Sequence, residues 1–298
     1  MRPGQIAELQ AFLTVAQERS FRRAAARLNL TPSTLSHSVR GLEERLGVML
    51  LNRTTRAVAP TQAGAALLAE LAPAFQAMDA AVETVNGFRA RPQGVIRLTV
   101  PRSGATQVMA SCFAAFARAC PDVTLEMTVE ERFVDIIREG YDAGIRLGES
   151  VEQDMVTVRV SPDLYAAVVG APACFADHAP PRVPQDLKMH RCINRRLSGS
   201  GGLYRWEFAK HDKRFSVLVD GPLILNADDM MLAAALEGVG LACINLSDAL
   251  PGIRAGRLVR VLEDWCPPIP GFFLYYPGSR QGSASLHALV EVLTSAAA

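Results

Sequence analysis

The chain has 298 residues, which is enough for two or three domains with separate hydrophobic cores. Its composition is typical of a folded globular protein, and no run of about 18 apolar residues occurs, so no membrane span is expected. Residues 1–61 hold nine arginines against four glutamates, a net charge of +5, which leaves −4 on the rest of a chain whose total is +1. A basic head, residues 1–61, on a mildly acidic body predicts that the head binds an anionic partner.

The six cysteines form neither a CxxC pair nor another spacing typical of zinc ligands. The N-terminus lacks the apolar segment of a secretion signal. We therefore expect a cytoplasmic protein whose cysteines are buried thiols, with no metal site, no cofactor and no contact with a membrane.

Helical periodicity and capping residues predict a helical head that ends in a β-hairpin. Ser20 is a candidate N-cap for the second helix. Thr31 and Pro32 suit the start of the third helix, and Gly47 suits the left-handed conformation that ends one. The expected head elements are helices over 4–18, 21–28 and 31–47 and strands over 48–51 and 56–60.

The third helix is predicted to have two chemically different faces. Its apolar positions, expected to face the core, are Leu35, Val39, Leu42 and Leu46. A second face presents hydroxyls, an imidazole and a guanidinium, on Ser33, Ser36, His37 and Arg40. Arginine can donate two hydrogen bonds to guanine, hydroxyls can bond base edges, and a helix N-terminus attracts phosphate. Two helices joined by a tight turn therefore predict a helix-turn-helix whose second helix enters the DNA major groove, with a solvated surface helix as the alternative.

The next segment, which starts at Thr61, is predicted to form one long helix with a narrow apolar seam. The spacings of four and three residues match a heptad, and the seam residues are Leu71, Phe75, Met78, Val82 and Val85. Such a seam predicts pairing with a helix of a second copy of the chain, and packing within the same chain is the alternative. Pro73 predicts a kink or a local irregularity.

Strands and helices alternate in the body, which predicts α/β units with parallel sheets covered by helices. The expected strands are 94–101, 123–129, 141–148, 164–170, 191–195, 216–221 and 240–246, and the expected helices include 133–140, 227–238 and 285–296. The chain is predicted to comprise the head over 1–61, a linker helix over 62–91 and the body over 92–298. Within the body, we expect lobe I at about 94–162 plus 268–298 and lobe II at about 163–267.

Small ligands of open α/β sheets bind beyond the carboxyl ends of the strands. Arginines and small polar residues occupy these positions here, and Asn226 is the expected N-cap of helix 227–238. The candidate ligand-binding residues are Arg102, Ser103, Gly104, Thr128, Glu130, Arg132, Arg146, Asn194, Arg195, Arg196, Ser198, Asn226 and Asp228. The arginines favour a small anionic metabolite, with pairing to neighbouring acids as the alternative. No catalytic motif such as GxSxG or HExxH occurs, so no catalytic residue is assigned and an enzyme is not expected.

Residues 9–64 resemble the winged helix-turn-helix of LysR-type transcriptional regulators. The motifs that carry the resemblance are Ser20-Phe21, Ala24-Ala25-x-x-Leu28, Leu42-Glu43-x-x-Leu46-Gly47, Arg53-x-x-Arg56 and Thr61-x-x-Gly64, around a serine-rich third helix. The chain departs mildly from the family pattern, with Leu50-Leu51 for Leu-Phe and Pro60-Thr61 for Leu-Thr. Stretches at 91–104, 135–148, 184–194 and 236–244 resemble the family's effector domain, so the resemblance extends over the whole chain.

The resemblance implies a winged helix-turn-helix, a dimerisation linker helix and a two-lobed, periplasmic-binding-protein-like α/β effector domain. It also implies a dimer or tetramer that binds double-stranded promoter DNA and responds to a small-molecule effector. The DNA-binding residues carried over are Ser20, Phe21, Thr31, Pro32, Ser33, Thr34, Ser36, His37 and Arg40, with Arg53 and Arg56 in the wing. Two other interpretations stay open: a solute-binding protein of a transporter, which would resemble the body alone, and an enzyme with an appended regulatory domain.

Overall fold

The computed structural model describes residues 3–53, 58–86, 92–148, 155–198, 201–211 and 213–297. The head consists of helices α1 (Pro3–Glu18), α2 (Phe21–Arg27) and α3 (Pro32–Leu46) and an antiparallel hairpin of β1 (Leu51–Arg53) and β2 (Val58–Pro60). The long helix α4 (Gln62–Asn86) follows the hairpin and leads to the body. Within the described ranges, no helix is both long and apolar enough to cross a membrane.

Caps set the limits of the head helices as predicted. Ser20 Oγ accepts a hydrogen bond from Arg23 N at 3.3 Å, and Thr31 Oγ1 accepts one from Thr34 N at 3.2 Å. Each bond satisfies an N–H group that has no partner within the first helical turn. Gly47 ends α3 with a φ of 71°, in the left-handed region that glycine adopts with little strain. The expected starts of α2 and α3 and the end of α3 are therefore confirmed.

The buried face of α3 packs against the rest of the head. Leu35, Val39 and Leu42 are fully buried in a cluster that also contains Phe12 of α1. Complete burial of a side chain of this size stabilises the fold by roughly 1.5–3 kcal/mol. Leu46 is 47% exposed, so its predicted inward position is wrong. The reason is its place as the last residue of α3, where the helix ends and the chain turns away.

Helix α4 starts against the hairpin, and its first half packs on the head. A Cβ atom at Gly64 would lie 2.0 Å from Leu50 O, so this close approach requires glycine. Leu71 and Phe75 are partly buried against the head cluster. The helix continues through Pro73, so the predicted irregularity does not interrupt it. The first half of the predicted seam therefore packs within the same chain, against the head.

The first body elements are β3 (Gly94–Val100), α5 (Arg102–Gly104), a π-helical turn (Ala105–Met109), α6 (Ala110–Ala119), β4 (Val123–Val129), α7 (Ile136–Glu139), β5 (Ala143–Leu147), β6 (Met155–Arg159), β7 (Leu164–Gly170) and β8 (Ile193–Arg195). They are followed by β9 (Trp206–Lys210), β10 (Lys213–Val217), β11 (Leu223–Leu225), α8 (Asp228–Leu236), β12 (Ala242–Asn245), α9 (Leu246–Arg254), β13 (Val259–Val261), β14 (Pro268–Ile269), β15 (Phe272–Pro277) and α10 (Ala284–Ala297). Short 3-10 helices cover Pro172–Phe175, Pro184–Met189, Glu263–Trp265 and Gly278–Arg280.

Lobe I contains a mixed sheet with the strand order β4-β3-β5-β15-β6. Strand β3 is parallel to β4 and β5, as predicted, but β15 is antiparallel to β5 and β6. The core of lobe I includes Leu98 of β3, Ile145 of β5 and Leu289 of α10, all fully buried. The helix expected over 133–140 is shorter in the structure, because Asp135 caps it by accepting hydrogen bonds from the next turn.

Lobe II is organised around β7, which pairs antiparallel with β12, β13 and β14. Strands β8 and β11 are parallel, and β9 and β10 form an antiparallel hairpin. The predicted parallel sheet is therefore wrong for the centre of this lobe. The strand expected over 216–221 is misplaced, because β10 folds back on β9 after a turn at His211. Since β14 pairs with β7, the chain returns to lobe I after Ile269, slightly later than the predicted 268.

All six cysteines are free thiols. Four of them are buried, at Cys112, Cys120, Cys192 and Cys243, and the other two, Cys174 and Cys266, are partly exposed. The expectation of buried thiols is thus confirmed for four. Burial raises the pKa of the Cys192 and Cys243 thiols to about 12, so both stay protonated at neutral pH.

Candidate nucleic-acid interface and ligand cleft

The N-terminus of α3 presents a compact cluster of hydroxyl groups on the head surface. Thr31 Oγ1 lies 2.9 Å from Ser33 Oγ and 2.8 Å from Thr34 Oγ1, and all three residues are exposed. Pro32 is also exposed and occupies the first turn, where its missing N–H removes no hydrogen bond within the helix. Hydroxyls beside a helix N-terminus are suited to contact a phosphate group.

Arg40 and His37 extend this surface along the next turns of α3, and both are exposed. Arg40 forms no ion pair with any residue in the described ranges, so its positive charge is not compensated there. Arg45, on the same helix, instead forms an ion pair with Glu8 of α1. The two arginines therefore differ in what they can offer to a partner. Arg40 is available to an anion or a base edge, and Arg45 is held by its own chain.

The remaining head residues carried over from the resemblance are placed less uniformly. Ser20 is partly exposed and caps α2, whereas Phe21 is partly buried against the head cluster. Ser36 is also partly buried. The side chain of Arg53 and the whole of Arg56 lie outside the described residues. The described face therefore centres on the first two turns of α3 and on Arg40.

Glu43 has a structural role in the head that sequence reasoning missed. This carboxylate is 5% exposed, and its Oε1 accepts hydrogen bonds from Leu50 N at 2.8 Å and Leu51 N at 3.1 Å. It thus joins the C-terminal half of α3 to the start of the hairpin. The available signal was its position directly after Leu42, on the border of the apolar face. An acid there is buried only when backbone donors compensate it.

Two adjoining cavities lie between the lobes of the body. The first, of about 290 Å³, is polar and is lined by Arg102 and Ser103 of lobe I and by residues around the start of α8. The second, of about 280 Å³, is lined mainly by apolar and aromatic side chains, among them Leu147 and Phe272. Ser103 lines both cavities, as do Arg195 and Asp228 of lobe II. We refer to the two cavities together as the cleft.

The cleft brings together some of the predicted ligand residues and not others. The residues that line it are Arg102, Ser103, Arg195, Asn226 and Asp228. The residues that do not line it are Gly104, Thr128, Glu130, Arg132, Arg146, Asn194, Arg196 and Ser198. The predicted capping role of Asn226 is wrong, because Ala227 is the N-cap of α8. Ala227 forms no side-chain hydrogen bond that caps this helix.

Arg146 shows why several predicted residues do not reach the cleft. Its guanidinium donates hydrogen bonds to Ile145 O at 2.7 Å, to Arg132 O at 2.9 Å and to Thr99 Oγ1 at 3.1 Å. The side chain is buried, and burial lowers the pKa of Arg146. These three bonds, from its two Nη atoms, all go to groups of its own lobe.

Arg132 and Asn194 also lie away from the cleft. Arg132 forms an ion pair with Glu130, and Arg132 Nη2 lies 3.0 Å from Glu130 Oε2. This contact agrees with the alternative interpretation that the arginines pair with neighbouring acids. Asn194 is 3% exposed on β8, between the two ends of that strand. The position of Asn194 follows from strand geometry, because alternate residues of a strand point to opposite faces and its neighbour Arg195 lines the cleft.

The polar cavity contains more carboxylates than arginines. Its charged residues are Arg102, Arg195, Glu131, Asp228, Asp229 and Asp248. The Arg195 guanidinium forms an ion pair with Asp228 Oδ1, and the two side chains are only 27% and 24% exposed. Burial lowers the pKa of Arg195, and burial raises the pKa of Asp248. The cleft therefore holds opposite charges that are partly removed from water.

Several cleft residues were not predicted from the sequence. The apolar cavity is also lined by Tyr204, Glu207, Cys243 and Asn245. Asn245 Nδ2 donates a hydrogen bond to Gln107 Oε1 at 3.4 Å, which connects the two lobes. Asn245 ends β12 in the structure but lies inside the strand expected over 240–246, so the rule that selects residues after a strand passed over it. Glu207 of β9 carried no such signal either, because that strand was not predicted.

Models of two protein domains match this chain. Residues 6–65 match the bacterial regulatory helix-turn-helix protein of the lysR family. Residues 89–298 match the LysR substrate binding domain. Together the two matches cover most of the chain.

Two relatives are similar to this chain over nearly their full length. A putative transcriptional regulator of Pseudomonas aeruginosa is 42% identical over 286 residues, which cover 96% of this chain and 94% of that relative. The HTH-type transcriptional regulator PgrR of Escherichia coli is 37% identical over 293 residues, which cover 98% of each chain.

Solved structures show the same arrangement of head, linker and body. The full-length Vibrio cholerae virulence activator AphB has a TM-score of 0.65 at 19% identity, with 98% of this chain and 99% of that one covered. CrgA, a LysR-type transcriptional regulator from Neisseria meningitidis, has a TM-score of 0.60 at 25% identity, with 97% and 98% covered. The chain therefore belongs to the LysR family of DNA-binding transcriptional regulators, with a helix-turn-helix head and an effector-binding body.

Proposed function

We propose that this LysR-family regulator reads promoter DNA mainly through α3 and alters its action on transcription when a small molecule binds in the cleft. The observation that carries the proposal is the exposed face of α3, where the hydroxyl cluster and Arg40, which has no ion pair among the described residues, lie opposite the buried leucines. This face matches the chemistry of phosphate and base edges. We place the protein in the cytoplasm, where promoter DNA is found, and we assign it no catalytic turnover.

The proposed DNA contacts fall into two groups. Thr31, Ser33 and Thr34 would hold the phosphate backbone at the helix N-terminus, with Ser20 of α2 beside them. Ser36, His37 and Arg40 would face the base edges in the major groove. Pro32 and Phe21 would support this surface, and Arg53 and Arg56 of the wing would reach an adjacent groove or the backbone.

The direct test of this function is binding of the full-length protein to the DNA immediately upstream of its own gene. A random duplex of equal length serves as the comparison, and both are measured over a series of salt concentrations. Selective binding with a steep salt dependence is the expected result, because phosphate contacts release counterions. If neither this duplex nor sequences selected from a random pool bind selectively, the proposed reading of DNA is wrong.

Replacing Arg40 with alanine should weaken binding to the selected duplex by about 1–3 kcal/mol and affect a random duplex much less. The reason is that a base contact contributes only on the correct sequence. Fluorescence anisotropy on both duplexes measures the difference. Arg45→Ala is the matched control, since it removes the same charge from the same helix at a position already paired with Glu8. Equal losses for Arg40→Ala on both duplexes would indicate a phosphate contact and contradict base reading.

The second half of α4 is the proposed dimerisation surface. We place the head at residues 1–61, the linker at 62–91 and the body at 92–298. Met78 is 50% exposed and Val82 is 62% exposed, whereas Leu71 and Phe75 already pack on the head. The side chain of Val85, the last predicted seam residue, lies outside the described residues. A partner helix would cover these apolar side chains.

Val82→Glu is expected to convert the dimer or tetramer to a smaller species, because a buried carboxylate without a partner opposes association. Analytical ultracentrifugation of the full chain at several concentrations measures the mass. Ala77→Glu introduces the same carboxylate at an exposed position of α4 outside the seam and should leave the mass unchanged. An unchanged mass for Val82→Glu would exclude this part of α4 as the interface.

A further inference from the structure

The cleft carries more negative than positive side chains, which argues against an effector with a single negative charge. Arg102 and Arg195 face four carboxylates in the polar cavity, and Glu207 adds another beside the apolar one. Asp228 and Asp229 lie in the first turn of α8, so the positive end of that helix already has two carboxylates near it. An anion that entered the cleft would therefore meet net negative charge.

The ion pair between Arg195 and Asp228 sets a second condition on the ligand. Both side chains are about three-quarters buried. A carboxylate that took Arg195 alone would leave Asp228 buried and unpaired. An amine that took Asp228 alone would leave Arg195 unpaired. A ligand with both charges avoids this cost, because each side chain exchanges one partner for another.

The apolar cavity supplies a third condition. It is lined by aliphatic and aromatic side chains from both lobes, including Leu147, Leu164, Ile269 and Phe272. It shares Ser103, Arg195 and Asp228 with the polar cavity, so one molecule can occupy both. Each cavity is slightly smaller than the roughly 300–1,000 Å³ found for ligand sites, which favours a small molecule.

We propose that the effector is a zwitterion of the amino-acid type with an apolar or aromatic side chain. Its carboxylate binds Arg195, its ammonium group binds Asp228, and its side chain occupies the apolar cavity. This arrangement keeps the negative group that the arginines suggest and adds the positive group that the carboxylates require. The inference rests on the proposed function, because it names the class of effector for the cleft.

The first test removes one charge at a time from the ligand. Isothermal titration of the full-length protein compares each apolar and aromatic amino acid with its amine and its acid, such as phenylalanine with phenethylamine and 3-phenylpropionate. We expect at least one amino acid to bind about tenfold more tightly, or better, than both of its analogues, because each analogue leaves one buried charge unpaired. The proposal is overturned if a singly charged analogue binds as tightly as its amino acid, or if none of the amino acids binds.

The second test assigns each charge of the ligand to a side chain. Arg195→Gln should remove most of the advantage that the amino acid has over its amine, because the carboxylate has lost its partner. Asp228→Asn should instead remove the advantage over the acid. Arg214→Gln, at an exposed position of the β9–β10 hairpin, is the control and should leave both advantages intact. If both cleft variants lose affinity for all three ligands equally, the assignment is wrong. Circular dichroism identifies a variant that does not fold. In that case the ligand series on the unmodified chain decides whether the effector is a zwitterion.

Promoter binding in the presence of these ligands separates the effector class from the regulatory function. If the protein binds its promoter selectively and only an amine or an acid changes that binding, the zwitterion is wrong and the response to a cleft ligand stands. If no selective binding of promoter DNA occurs with or without ligand, the proposed function itself fails. A change in promoter binding that only the amino acid produces supports both.

Discussion

Replacing Arg280 with alanine is expected to lower the free energy of unfolding by about 3–5 kcal/mol, because it leaves a buried carboxylate without its ionic partner. Arg280 Nη2 lies 2.6 Å from Asp142 Oδ1, and each side chain is only 12% exposed. Asp142 Oδ2 also accepts a hydrogen bond from Arg97 N at 2.7 Å, so the carboxylate is held between β3 and the start of β5. Urea-induced unfolding followed by far-ultraviolet circular dichroism measures the loss.

The matched control is Arg132→Ala, which removes the same type of side chain from an exposed ion pair with Glu130. This change should alter the free energy of unfolding by less than about 1 kcal/mol, because solvent screens such a pair. Similar losses for the two variants would show that burial of the Arg280 pair is not what makes it strong. Replacing Asp142 and Arg280 together by apolar residues should restore part of the stability, since neither charge is then left alone.

The pH dependence gives an independent check on Asp142. Burial raises the pKa of this carboxyl in the folded protein, although Arg280 opposes the shift. The folded state therefore binds the proton more tightly than the unfolded state. The resulting stability is present below the unfolded pKa of roughly 3.9 and is lost as pH rises through the folded pKa.

Without Arg280 the folded pKa of Asp142 is higher still. Arg280→Ala should thus lose more stability than the unmodified protein as pH is raised from about 4 to 7. Parallel pH profiles would contradict this account.

The head was predictable from sequence because its signals are local. Ser20, Thr31 and Gly47 mark helix ends within a few residues of the groups that they cap, and apolar spacing identifies the buried face of α3. Strands β4 and β7 were also predicted with their observed limits, since each is a continuous run rich in β-branched or apolar residues. The arrangement of lobe II was not, because β7 pairs with three strands that are distant in sequence and short.

The cleft was predictable only in part, for a related reason. A strand end identifies where a ligand can bind, and this rule found Arg102, Ser103 and Arg195. It does not say which face a side chain takes, so Arg146 was expected near the ligand and instead lies inside its lobe. It also does not give the net charge of a site assembled from distant segments. The excess of carboxylates appears only when both lobes are in place.

Replacing Glu43 with alanine is expected to lower the free energy of unfolding of the head by about 2–4 kcal/mol, because two buried backbone donors lose their acceptor. Leu50 N and Leu51 N both donate to this one carboxylate oxygen, and the two leucines are almost fully buried. Water therefore does not replace the lost acceptor without opening the head. Hydrogen exchange of these two amides measures the effect at the site itself, and both should exchange faster in the variant.

Two neighbouring substitutions separate the role of Glu43 from a general effect of charge on α3. Glu44→Ala removes an exposed carboxylate and should change the free energy of unfolding by less than about 0.5 kcal/mol. Glu43→Gln keeps an acceptor oxygen, so it should lose less stability than Glu43→Ala. Because Glu43 ties α3 to the hairpin, Glu43→Ala should weaken binding to selected and random duplexes alike, unlike Arg40→Ala. Unchanged exchange at Leu50 and Leu51 in Glu43→Ala would show that other groups hold the hairpin, and would remove the physical reason for a buried acid on α3.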